Sequence, residues 1–273
     1  MRVSVILFVF FLFWSTPSIA GKRLIVFVGS ASMPATREAA LAFEKETGIH
    51  VELHFGGSGS MLSQLILSRR GDLYFPGSPD YLAKAIEKRA VVPDSARGIA
   101  YLIPAINVPR SNPRSIEGLD DLAREGVRVG IANPHSVCVG LYAVEILEKS
   151  SLKERIRANI RTYIESCSRT ANIVALNNLD AVIGWRVFEH WNPKRILTVP
   201  LKPKEIPRIA YIPIAVTPFS RNRRDAQRFM RFLESDAGKN SFRKWGYIVT
   251  EEEARRFAPL AKIGGRYEIP SDW

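Results

Sequence analysis

The residues able to do chemistry in this chain gather where apolar runs give way to helix-like ones. The stretch "HFGGSGSMLSQL", from His54, sets Gly56, Gly57 and Gly59 around Ser58 and Ser60, just ahead of Met61, Leu62 and Leu65. Three familiar patterns fail here on single residues. A Walker-type phosphate loop needs Gly-Lys-Ser/Thr, and there is no lysine. A G-x-S-x-G nucleophile elbow needs glycine where Ser60 stands, and a G-x-G-x-x-G dinucleotide loop needs glycine where Leu62 stands. What remains is a set of backbone N–H groups at the positive end of a helix, glycines that permit close approach, and two hydroxyl donors. That is the make-up of an anion site assembled from neutral donors. Taken alone, the stretch reads equally as a flexible capped turn.

The composition recurs along the chain. "FVGSASMPA" carries Ser30 and Ser32, "IANPHSVCVGLYA" carries Ser136, Cys138, Val139 and Gly140, and "SCSRTANIV" carries Ser168 and Thr170, each between a strand-like and a helix-like segment. The carboxyl ends of parallel strands are where α/β sheets bind ligands, so four such junctions define a donor-lined region. His50, His54, His135 and His190 are dispersed, and neither CxxC nor HExxH spacing occurs, so no metal-ion site and no cofactor are expected. His135, three residues before Cys138, is the only base near a nucleophile, and an enzyme is not expected.

The elements that must position these residues alternate. "RLIVFVGS", "HVELHF" and "GDLYFPG" read as strands, each followed by a helical segment, and a second alternating set runs from "GVRVGIANP" to "RILTVPL". Two extended, proline-bearing runs, 99–113 and 208–218, separate the sets. This predicts an α/β fold of two lobes, each a mostly parallel sheet flanked by helices, joined by two crossing strands. A single doubly wound sheet with insertions is the alternative. The expected division is 21–105 with 215–273 for the first lobe and 106–214 for the second. Residues 1–20, one arginine followed by an apolar run and "SIA", read as a cleaved signal peptide, the apolar part being shorter than the ~20 residues of a spanning helix. The formal net charge of +12 comes from Lys and Arg scattered among acidic residues, which describes a solvated surface rather than a nucleic-acid-binding one.

The segments "FVGSASMPATREAALAFEKETGI", "FGGSGSMLSQL", "GDLYFPGSPDYLAKA", "NPHSVCVGLYA", "LDAVIGW" and "IPIAVTP…RFMRFLESDAGKNSFRKWGY" make the chain resemble the periplasmic molybdate-binding proteins of ABC importers, within the type II solute-binding fold. The resemblance covers nearly all of the chain after residue 20. It implies a periplasmic monomer that captures a tetrahedral oxyanion, molybdate or tungstate, between its lobes and delivers it to the membrane permease of an ABC importer. Another oxyanion such as sulfate or phosphate, or a sensory use of the fold, is the alternative. Carried over residue by residue, it implies Ser30 or Ser32, Ser58, the backbone N–H of Val139 and Thr170 as ligand donors. The family's tyrosine donor falls on Trp185, which offers only an indole N–H, and the family's Pro-Ala-Gly is Cys138-Val139-Gly140 here. The same fold would set Cys138 and Cys167 side by side, either as a disulfide or as two separate buried thiols.

Overall fold

Alternating apolar and amphipathic runs build two mixed sheets in the computed structural model, which describes residues 23–273. The signal peptide expected over 1–20 lies outside those residues. The first half runs β1 (Arg23–Gly29), α1 (Met33–Thr47), β2 (His50–Gly56), α2 (Ser58–Ser68), β3 (Leu73–Phe75), α3 (Pro79–Glu87) and β4 (Arg97–Leu102). The second set runs β5 (Pro104–Pro109), α4 (Leu119–Leu122), β6 (Val129–Ala132), α5 (Cys138–Glu148), α6 (Lys153–Ala158) and β7 (Ile160–Ile164). It continues with α7 (Cys167–Ala175), β8 (Ala181–Trp185), α8 (Phe188–Trp191) and β9 (Ile196–Pro200). The chain then passes through β10 (Arg208–Val216), α9 (Arg223–Glu234), α10 (Asp236–Lys244), α11 (Glu251–Arg255) and β11 (Lys262–Ile263).

The first sheet has the order β11-β10-β3-β1-β2, with β4 also paired to β10; the second has the order β7-β6-β8-β5-β9. The strand–helix units pair in parallel, and the crossing strands β5 and β10 add antiparallel neighbours. Both sheets are therefore mixed rather than mostly parallel throughout. Register aligns the ends that matter: Gly29 lies opposite Gly56 and Val28 opposite Phe75, while Ala132 lies opposite Ile164. The loops after β1, β2 and β3 thus leave one edge of the first sheet together, and those after β6 and β7 leave one edge of the second.

Local signals explain the helices. Pro34 sits in the first turn of α1, where a missing N–H costs nothing, and Gly48 ends it at φ 70°. Helix α9 buries Ala226, Phe229, Met230 and Leu233, and Phe43 of α1 meets Phe229 at a ring-centroid distance of 5.1 Å. The helix pair α9–α10 packs on α1 of the first sheet.

The lobe division differs from expectation in two places. The first crossing falls at Ile103, near the expected 105. The return crossing does not fall at 215: β10 belongs to the first sheet along its whole length, so the chain crosses back between Pro200 and Arg208. Pro213, which made 208–218 read as a connector, sits where the β4–β10 register shifts, a place where a strand can spare an N–H. The second difference lies at the C-terminus: expected in the first lobe alone, it touches both, with β11 paired to β10 of the first sheet. Ala254, Ala258 and Ala261 pack with Ile106, Leu119 and Val129 of the second, and Asp272 pairs with Arg157 of α6 at 2.6 Å.

Gly140 fixes how closely α5 approaches the end of β6. A Cβ there would press on the Ala132 carbonyl oxygen and stand 2.8 Å from both the Asn133 carbonyl carbon and Pro134 Cα, all backbone atoms that cannot step aside. Gly140→Ala is expected to destabilise the protein by about 1–3 kcal/mol through overpacking, seen as a lower urea midpoint with an unchanged denaturant slope.

Candidate functional site

Ser58 opens α2, and its neighbours fix both its ends. The Tyr74 hydroxyl donates to the Ser58 carbonyl at 2.7 Å, and the Gly77 N–H donates to Ser58 Oγ at 3.0 Å. With a lone pair already engaged by Gly77, the hydroxyl keeps its proton to donate. Ser30 lies in the single helical turn after β1, held there by the Tyr247 hydroxyl on the Ala31 carbonyl at 2.6 Å. Ser30 Oγ accepts the Ser168 N–H across the cleft at 3.3 Å. Ser32, two residues on, turns the other way: it accepts from Thr36 Oγ1 at 2.9 Å inside α1. Of the two expected serines, Ser30 faces the second lobe.

The second-lobe groups come from the first turns of α5 and α7. Cys138 and Cys167 are both free thiols, with the two Sγ atoms 3.6 Å apart. Val139, fully buried, follows Cys138 in the first turn of α5. Burial pushes the Cys138 thiol up, its Cys167 neighbour adds to that, and the Ser58 and Val139 donors offset only part of it. The expectation of adjacency holds, with thiols rather than a bond. Thr170 is placed less favourably than expected. Its hydroxyl donates to the Ser166 carbonyl at 2.9 Å, the common back-bond of a helical threonine, so its proton is committed. Ser168 of the same junction reaches the cleft instead, through its N–H. Trp185 is fully buried edge-on to Tyr142, centroids 5.1 Å apart, and its indole N–H has no hydrogen-bond partner among the described residues.

The two lobes touch. The Gly59 N–H donates to the Ser136 carbonyl at 2.8 Å, and a Cβ on Gly57 would lie 2.8 Å from both the Ser136 and Glu165 carbonyl oxygens. Glycine at 57 is needed for that approach rather than for a special φ. One apolar cluster accordingly runs from Val28 and Phe75 through to Ala132, Cys138 and Trp185.

Sequence reasoning passed over a second junction between the lobes. Arg208, 3 % exposed, pairs with Asp80 of α3 at 3.0 Å and, through Nε, with Glu145 of α5. Its guanidinium also lies over the Tyr142 ring at 4.4 Å. Burial alone would lower its pKa, but Tyr142, Asp80 and Glu145 together push it above its usual value. Nothing local marks these residues; only a single arginine heading an otherwise apolar run hints at them. Asp80 Oδ2, Arg208 Nη2, Tyr142 Oη and Ser78 Oγ have no partner among the described residues.

Two sheets joined by two crossings, with donor-bearing helix starts facing each other, define a two-lobed solute-binding protein. The sequence pattern of bacterial extracellular solute-binding proteins matches residues 24–248, and the chain belongs to that family. Among its relatives is the molybdate-binding protein ModA of Rhodobacter capsulatus, 22 % identical over 241 residues, covering 85 % of this chain and 90 % of that protein. The periplasmic molybdate-binding protein of Azotobacter vinelandii superposes with a TM-score of 0.72 at 17 % identity, over 84 % of this chain and all of that one (100 %). The sulfate-binding protein SubI of Mycobacterium tuberculosis superposes with a TM-score of 0.75 at 17 % identity, over 89 % and 94 %. The fold is that of the type II periplasmic binding proteins, and the family is one of binding proteins rather than enzymes.

The Arg208 junction predicts a stability effect. Glu145→Ala removes one of two carboxylates from a buried guanidinium and is expected to cost about 3–5 kcal/mol, measured by urea unfolding.

Proposed function

We propose that the protein captures a fully ionised tetrahedral oxyanion of the molybdate class between its lobes, outside the cytoplasm, and presents it to the permease of an ABC importer. It works as a monomer, exported through the leader at 1–20, with lobes 23–102 plus 208–250 and 104–200. The supporting observation is the meeting of Ser30 and Ser58 with the first turns of α5 and α7: hydroxyls faced by helix N-termini, the nearby charges, Arg169 and Glu165, being exposed and paired with each other. Hydrogen bonds to a charged partner contribute about 1.5–3 kcal/mol each, so five to seven of them suffice for micromolar to nanomolar binding, about −8 to −12 kcal/mol. Relatives named for molybdate favour that anion or its near-isostere tungstate. The SubI likeness keeps sulfate as the second reading.

Calorimetric titration of the purified chain tests this directly. Molybdate, tungstate or sulfate is expected to bind about ten- to a hundredfold tighter than phosphate at pH 7. Monohydrogen phosphate carries a proton that a donor-only site leaves unpaired, at a cost of about 1–3 kcal/mol. Phosphate binding as tightly as molybdate would overturn the donor-only reading.

Ser58→Ala should weaken binding of the preferred anion by about 1.5–3 kcal/mol. It should also cost roughly 1 kcal/mol of ligand-free stability, because the Gly77 N–H loses its acceptor. Unchanged affinity would remove Ser58 from the site.

A further inference from the structure

Cys138 and Cys167 add to the donor set something an oxyanion clamp does not need. Each is 1 % exposed, each stands at the start of a helix, and their sulfurs are 3.6 Å apart beside the Ser58 hydroxyl. A disulfide requires the sulfurs to close to about 2.05 Å. Two sulfurs held about 2.3 Å from one shared tetrahedral atom, the length of a zinc–thiolate bond, stand roughly 3.7 Å apart. The observed 3.6 Å is a contact distance for two thiols, and it also lets both sulfurs reach one shared centre.

Zinc is poorly served, because among the described residues no group of three or more His, Cys, Asp or Glu side chains could hold a metal ion. A cation would also require thiolates, which burial at Cys138 opposes. A thiophilic centre that arrives with its own hydroxyl groups and exchanges them for thiols without net proton release escapes both objections.

We infer that this cleft binds trivalent arsenic hydroxide, As(OH)3, through Cys138 and Cys167, with the remaining hydroxyl of the adduct held by Ser58. Two S–As bonds form and two As–O bonds break. Each thiol proton leaves with a hydroxide as water, so two waters are released. Arsenic stays trivalent, and no oxidant or reductant takes part. The ligand is uncharged at neutral pH, so its burial beside neutral donors carries no charge-desolvation cost. The inference rests on the proposed reading in one respect only, that the cleft opens to admit a small oxygen-bearing solute.

The test uses the full mature chain reduced with a phosphine and freed of it, then mixed with sodium arsenite. Native mass spectrometry is expected to show a one-to-one adduct, and thiol titration should show both cysteines lost to the reagent and recovered when a small dithiol is added in excess. Cys138→Ser and Cys167→Ser should each weaken arsenite binding at least tenfold, with circular dichroism confirming that the variants are folded. A molybdate titration on the same wild-type sample separates the two ideas. Molybdate bound without an arsenite adduct would end the arsenic inference and leave the oxyanion reading standing. An adduct without binding of any tetrahedral oxyanion would do the reverse. An adduct that survives unchanged in both serine variants would also overturn the assignment, as would reduced protein whose thiols stay reactive in arsenite.

Discussion

The constraint on which the structure turns is that positive helix ends face each other. Helices α1 and α2 start at one edge of the first sheet, α5 and α7 at one edge of the second, and the lobes bring those starts together. Unpaired N–H groups and the like ends of four dipoles resist being buried face to face without acceptors between them. Ser30 Oγ and the Ser136 carbonyl serve as acceptors in the closed arrangement. Small residues make that possible: Gly57 and Gly59 let one backbone lie against another, and Gly140 seats α5 on the end of β6.

Helix α5 ties this meeting point to the rest of the molecule. Its first turn supplies Cys138 and the Val139 N–H, and two turns later Glu145 grips Arg208. Arg208 is itself the first residue of β10, at the return crossing, and its other partner, Asp80, belongs to the first lobe. A shift of the second lobe therefore carries Cys138, Val139 and Glu145 together along α5, so parting the donor cluster also draws Glu145 away from Arg208 and Asp80, which stay with the first lobe. A charge pair that is this deeply buried contributes geometric specificity more than net stability, since desolvation offsets much of its attraction.

Much of this was legible in the sequence because it is local. Strand–helix alternation, the glycine–serine elbow at Ser58 and hydroxyl residues at the other junctions are read within a dozen neighbouring residues, and they led to the correct fold and to the junctions that meet. What was not legible depends on partners far along the chain. Ser32 and Ser30 are indistinguishable by type; only the hydrogen bond from Thr36 turns one of them away. Thr170 reads as a donor by type, but its hydroxyl donates to the Ser166 carbonyl one turn back. Pro213 resembled a breaker because a register shift within a pair of strands leaves no trace in composition. The Arg208–Asp80–Glu145 group is drawn from three distant segments and carries no pattern at all.

The last residues of the chain have a mechanical consequence. The Tyr267 N–H is held by Asp80 of the first lobe at 2.9 Å, Asp272 is held by Arg157 of the second, and the Trp273 indole donates to Glu148 at 2.5 Å. The segment between Tyr267 and Asp272 is thus a short leash pinned at both ends. Drawn taut, so few residues reach at most about 17 Å. While both pins hold, the leash sets a stop on how far the jaws can swing, independently of the stiffness of the crossings themselves.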